Sequence, residues 1–121
     1  MRQDKFLKIA KEASSRSDHY KYKMGCAIAK GNKILGVGCN SMKTHPKSPH
    51  KFKSTHAEFM AAQNAGLWNL EGATVYVFRE QKDGKMAMAK PCPYCWRFLV
   101  DCGVKEVVYS FEGSFKKESM R

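Results

Sequence analysis

Two segments of this 121-residue chain begin with side chains that an apolar core cannot use, and any fold it adopts must accommodate both. The stretch STHAEFMAA sets His56 and Glu58 two residues apart where an amphipathic helix starts. The stretch PCPYC sets Cys92 and Cys95 three residues apart where another helix starts, with Pro93 in its first turn. Residues three apart on a helix share a face, so the two sulfurs can point the same way. Taken singly, each feature has an ordinary explanation. His56 could cap its helix, Glu58 could answer the positive end of the helix dipole, and Cys-x-x-Cys could be a redox pair. A redox pair has no use for His-x-Glu, and the ordinary explanations must all hold at once at two helix starts.

The rest of the chain supplies a frame on which those helix starts can meet. DKFLKIAKEASS puts Phe6, Ile9, Ala10 and Ala13 on one stripe with Leu7 beside it, which predicts a first helix with Asp4 as its cap. MGCAIAK and KILGVGCN are apolar runs joined by Gly31-Asn32 and read as a β-hairpin. Residues 41–55 carry two prolines and no acid, which predicts a loop. HAEFMAAQNAG is a second helix stopped by Gly66, and ATVYVFRE is a strand of β-branched and aromatic residues. Lys82-Asp83-Gly84 is a turn signal, so KMAMAK is expected to fold back as a short arm. CPYCWRFLVDCG is a third helix, VKEVVYSF a further strand, and a short polar tail follows. Strands interleaved with helices predict an α/β fold whose sheet is covered on both faces, with the two odd helix starts at one sheet edge.

Length and composition agree with one domain over residues 1–121 built on one core. No apolar run approaches the roughly 20 residues of a membrane span, and lysines interrupt the opening segment too often for a signal peptide. No membrane partner and a cytoplasmic location are therefore expected. The five cysteines are odd in number and follow no secretory signal, which favours a metal or thiol role over a disulfide framework. Formal net charge is +11, and it is uneven. Residues 1–60 hold 13 Lys/Arg against 4 Asp/Glu, whereas residues 61–121 hold 9 against 7. Such asymmetry suits a phosphate-bearing substrate or partner.

One imidazole and two thiolates at helix starts make a three-ligand zinc site whose fourth position stays open, as catalysis requires. Cys102 lies seven residues beyond Cys95 on the same helix, roughly 10 Å along its axis and too far to share an ion. Cys26 and Cys39 lie within apolar strands, and with Cys102 they read as small buried residues. His19, His45 and His50 lie in basic loops and read as exposed.

His56-Ala57-Glu58 with Pro91-Cys92-Pro93-Tyr94-Cys95 resembles the zinc-dependent cytidine and deoxycytidylate deaminase superfamily. The resemblance extends over the hairpin ending in GVGCN and the strand VKEVVYS, most of residues 20–111, and is nearest to the deoxycytidylate type. It implies a three-layer α/β/α fold with a mixed sheet of about four to five strands. It also implies zinc on His56, Cys92 and Cys95, with Glu58 moving protons between water, the ring nitrogen and the departing ammonia. Asn40 is then expected to bond the sugar and the Ala57 backbone the base carbonyl. Lys51 and Lys53, in the basic segment before His56, are expected to hold substrate phosphate. The implied reaction is hydrolytic deamination of a free pyrimidine nucleotide, dCMP above all, by an enzyme that assembles into homo-oligomers. Two alternatives are a single-stranded DNA or RNA cytosine deaminase and a non-catalytic zinc-bound nucleic-acid-binding module. Three departures from the family stand out. REQKDGKMAMAK lengthens the link to the zinc helix, the polar tail leaves a fifth strand open, and that tail lacks the Lys-x-Gly-Ala pattern of tRNA adenosine deaminases.

Overall fold

The structure is a computed structural model that describes residues 2–17, 22–40, 56–81, 86–111 and 113–120. Helix α1 runs Arg2–Ser14, strands β1 and β2 run Tyr22–Lys30 and Lys33–Cys39, and helix α2 runs Ala57–Ala65. After a 3-10 turn at Leu67–Asn69 come β3 (Thr74–Gln81), β4 (Met86–Ala87), α3 (Pro93–Asp101), β5 (Glu106–Phe111) and β6 (Ser114–Ser119). The sheet order is β2-β1-β3-β5-β6, with β4 on the end of β3. Only β3 and β5 run parallel, joined through α3; the other pairs are antiparallel.

The two-residue period of the strands divides the core. Ala27, Ala29, Tyr76, Phe78 and Val108 face α1, where Phe6, Leu7 and Ala10 are buried against them. Cys26, Ile28, Val75, Val77, Val107 and Tyr109 face the opposite way, toward Ala57, Ala61 and Ala65 of α2 and Leu99 of α3. The three layers expected from the alternation of strands and helices are therefore present. Among the described residues no helix is long and apolar enough to cross a membrane.

Two expectations need correction. Helix α1 begins at Arg2, so Asp4 lies within the helix and not at the position before it. The polar tail contains β6, which pairs antiparallel with β5 across a turn where Gly113 has φ 80°. Its residues are exposed along nearly their whole length, so the strand shows no alternation of apolar and polar positions. Charged side chains such as Lys116 and Lys117 suit an outermost strand, since they discourage pairing with another chain. The mixed sheet thus has a path of five strands, with the two-residue β4 beside it. The segment 41–55 lies outside the described residues.

The expected arm is β4, and it fills a split in the sheet. Strand β5 pairs with β3 only from Thr74 to Val77, and β4 takes over at Arg79 and Glu80. Ser110 bridges the split: its Oγ donates to the Ala87 carbonyl at 2.6 Å and accepts from the Arg79 N–H at 3.1 Å. The Ala89 N–H donates to the Ser110 carbonyl at 2.8 Å, so the chain rejoins β5 just before it enters α3.

Helix α2 lies unusually close to β2. A Cβ on Gly36 would stand 2.4 Å from the Ala61 carbonyl oxygen, and one on Gly38 would stand 2.5 Å from the Ala61 nitrogen. The Gly38→Ala substitution is therefore expected to push α2 off the sheet and to destabilise the fold by about 1–3 kcal/mol. Gly31→Ala, where a Cβ meets nothing within 4 Å, should cost only the strain of its positive φ. Urea unfolding of both variants checks the ordering, and Gly38→Ala should also bind metal less tightly than Gly31→Ala.

Candidate metal centre

Each ligand candidate sits where a helix begins. His56 is the residue before α2, extended at φ −85° and ψ 148°, and Cys92 is the residue before α3 at φ −65° and ψ 164°. Neither side chain makes a capping bond, so both point away from the helix ends they would otherwise close. Pro93 sets the first turn of α3, and Cys95 and Leu99, four apart, form its buried stripe. The rings of Phe59, near the start of α2, and Phe98, in the second half of α3, lie 5.6 Å apart between centroids and tie the two helices together.

The result is a compact donor set. His56 Nδ1 lies 3.3 Å from Cys95 Sγ and 3.8 Å from Cys92 Sγ, and the three donor atoms are all within 4.8 Å of one another. Around a tetrahedral zinc, with bonds of ~2.3 Å to sulfur and ~2.0 Å to nitrogen, such donors stand about 3.5–3.8 Å apart. The spacing and the donor types fit zinc, and this group of side chains is the one among the described residues that could hold an ion.

The thiols are already biased toward metal binding. The hydrogen bond from Cys95 holds the Cys92 thiol down to about 4, with further help from His56 against the opposing effect of burial. Cys95 is pushed up, because it donates to the Cys92 thiolate and is buried. A dication bound here would displace any remaining thiol proton. Burial pulls the His56 imidazole down, but the hydrogen bond to Cys92 and the Glu58 charge outweigh it and the net shift is upward. Glu58 is 2% exposed, and burial raises its carboxyl above the usual range, only partly offset by a backbone hydrogen bond and by His56.

A cavity of about 130 Å³ opens on this group, lined by Met24, Asn40, His56, Glu58, Arg79, Met88, Lys90 and Cys92. Asn40 is 3% exposed, and its Oδ1 accepts from the Met24 N–H at 2.9 Å and from the Ser17 hydroxyl. Those bonds hold the amide against β1, in the lining of the same cavity as His56 and Glu58. Ala57 is fully buried at the first position of α2. Lys51 and Lys53 lie outside the described residues, as do Tyr20, Lys21, Phe52, Lys43 and Lys47 of the same basic reading. Cys26 is buried in the core, whereas Cys39 and Cys102 are only partly buried.

Sequence reasoning missed four cavity residues, Met24, Arg79, Met88 and Lys90. Arg79 continues the row Val75, Val77 by one more step of the strand period, so it lies on the α2/α3 face at the C-terminal end of β3. A charge on an inward row at the end of a parallel strand was the available signal. Lys90 immediately precedes Pro91-Cys92, and the arm brings it to the cavity rim.

The family model "Cytidine and deoxycytidylate deaminase zinc-binding region" matches residues 1–111. The deoxycytidylate deaminase of Mycobacterium phage D29 is 27% identical over 128 residues, covering 88% of this chain and 92% of that protein. The deoxycytidylate deaminase of Saccharomyces cerevisiae is 27% identical over 133 residues; the match takes in 96% of this chain but only 39% of the yeast protein. The crystal structure of cytidine deaminase from Burkholderia pseudomallei superposes with a TM-score of 0.72 at 22% identity, covering 99% of this chain and 94% of that one, which shows a shared fold.

One zinc per chain is expected, and Cys95→Ser should abolish stoichiometric binding. Elemental analysis of both proteins after dialysis checks this. Full zinc retention by the variant would exclude the ligand set, and a chelator should lower the melting temperature of the wild type alone. With the donor geometry, the cavity and the matching family model together, the chain belongs to the cytidine and deoxycytidylate deaminase zinc-binding family, a family of zinc-dependent deaminases.

Proposed function

We propose that the chain hydrolyses the exocyclic amine of a cytosine ring on a free deoxycytidine nucleotide, converting dCMP to dUMP with release of ammonia. The observation that carries this reading is the buried Glu58 carboxyl in the same small cavity as the His56, Cys92 and Cys95 donors. A site that only held metal would gain nothing from burying a carboxyl there. The similarity to deoxycytidylate deaminases over most of the chain supports the nucleotide, and the +11 charge suits its phosphate.

His56, Cys92 and Cys95 would hold a zinc ion, whose chemistry would be to make a water nucleophilic near neutral pH. Glu58, its affinity for protons raised by burial, accepts a proton from that water and passes it to the ring nitrogen. The oxygen would bond to the amino-bearing ring carbon; Glu58 would then take the remaining proton of that hydroxyl and hand it to the amine, so that the carbon–nitrogen bond breaks, ammonia leaves and a ring carbonyl remains. Met24 and Met88 offer apolar walls to the ring, the Asn40 amide a partner for the sugar, and the Ala57 N–H a donor for the base carbonyl. Lys51 and Lys53 join this reading as phosphate contacts from the basic segment before His56.

Zinc-loaded protein should be assayed for ammonia release from cytidine, deoxycytidine, dCMP, dCTP, single-stranded DNA and RNA. Turnover is expected with dCMP above the others. Glu58→Gln should keep its zinc and its fold yet lose at least ~10²-fold in turnover. Near wild-type turnover by that variant would overturn the mechanism. If single-stranded DNA or RNA is converted while dCMP is inert, the polynucleotide alternative replaces the free nucleotide; zinc binding with no turnover on any substrate would leave the non-catalytic module.

A further inference from the structure

Asn40 lines the same cavity as His56 and Glu58, and its amide is held in one orientation. Its backbone N–H donates to the Met24 carbonyl at 3.1 Å, and its Oδ1 accepts from the Met24 N–H at 2.9 Å, so the residue closes a two-bond ring with β1. A backbone N–H can only donate, so the amide atom that meets it is the carbonyl oxygen and not the nitrogen. The Ser17 hydroxyl lies 2.5 Å from the same oxygen and must donate to it as well. Two donors occupy both lone pairs of Oδ1. Whatever Asn40 meets in the cavity, it meets through its NH2 group, as a donor. Ser17 itself is buried at 7% exposure and is not part of the cavity lining. It follows the end of α1, the helix on the opposite face of the sheet from α2 and α3.

We propose that Ser17 is a positioning residue: it locks the Asn40 amide so that the substrate meets only the NH2 group, and thereby sets the preference for a sugar hydroxyl that accepts a hydrogen bond. This rests on the deaminase reading above, in which Asn40 faces the sugar. On a deoxynucleotide the 5′ oxygen carries the phosphate and the 2′ carbon carries no oxygen, so the 3′-hydroxyl is the sugar group left to accept. The Met24 bond alone does not define the amide plane, because the last torsion of an asparagine is broad and one bond lets the plane pivot. The second donor, arriving from α1, removes that freedom. Ser17 is in turn tied to its helix: its N–H donates to the Ser14 carbonyl at 3.1 Å, and the Ser14 hydroxyl donates to the Lys11 carbonyl at 2.6 Å. Helix α1 is seated on β1 through Phe6, Leu7 and Ala10 against Ala27 and Ala29. The first helix, which among the described residues gives no side chain to the cavity, thus orients one of the polar groups inside it.

Calorimetry of the zinc-loaded protein with dUMP and with 2′,3′-dideoxyuridine monophosphate, which lacks the 3′-hydroxyl, reads this contact without any need for turnover. In the wild type dUMP should bind about fivefold more tightly, the scale of one neutral hydrogen bond. Ser17→Ala should cut that preference to below about twofold, and Ser17→Thr, which keeps a hydroxyl, should retain most of it. In an Asn40→Ala background the preference is already lost, and adding Ser17→Ala should change it no further, as expected of a residue that acts through Asn40. Should Asn40→Ala fail to fold, the two Ser17 variants decide alone. A wild-type ratio near one, or a Ser17→Ala variant that melts earlier and binds both ligands more weakly with the ratio unmoved, overturns the proposal and leaves Ser17 a structural residue. If dCMP is deaminated while the ratio stays put, only the role of Ser17 falls. If the ratio collapses in Ser17→Ala while dCMP is not deaminated, the positioning stands and the reaction assigned above is wrong.

Discussion

The distance between α2 and the sheet governs the site. Helix α2 presents Ala57, Ala61 and Ala65 to the core, and β2 answers Ala61 and Ala65 with Gly36 and Gly38. With no Cβ on the strand and only methyls on the helix, backbone meets backbone, and the helix axis drops close to the strands. Its first residue then sits against the ends of β1 and β3, where His56 and Glu58 can reach the start of α3. Larger side chains in that layer would lift the helix and carry the imidazole away from the sulfurs. The metal centre thus depends on a packing choice made well outside it.

The second support is the parallel pair β3 and β5. A parallel pair needs a crossover, and α3 is that crossover, so its N-terminus arises at the carboxyl end of β3. Open sheets offer their crevice at that end. Cys92 and Cys95 arrive there because of topology, and Phe59 against Phe98 packs α2 on α3. The split between β3 and β5 beyond Val77 widens the crevice, and Ser110 closes the polar edges it exposes.

Electrostatics follow from this enclosure. Cys95 donates to Cys92, which pulls the Cys92 thiol down and pushes the Cys95 thiol up. Burial raises Glu58, and the nearby imidazole moderates the shift without cancelling it. The edge strand β6 contributes through Glu118, which accepts from the Tyr109 hydroxyl and pairs with Lys90. An exposed pair of this kind adds little stability, but it positions a cation at the cavity mouth.

Much of this was legible in the chain itself. His56, Glu58, Cys92 and Cys95 declared a metal site because polar ligands at helix starts with this spacing have few other joint uses. The hairpin through Gly31-Asn32, the helix stop at Gly66 and the short arm after Lys82-Asp83-Gly84 followed from local backbone preference, which needs no tertiary partner. The start of α1 did not, because Asp4 is as comfortable in a first turn as at a cap. Strand β6 was hidden, since an edge strand exposed along nearly its whole length has no burial to impose alternation. Arg79 and Lys90 were hidden for a different reason: their proximity to His56 and Glu58 exists only after β3, the arm and α3 have been folded around the split sheet. Local chemistry is written in sequence, whereas the company each side chain keeps is decided by which strands become neighbours.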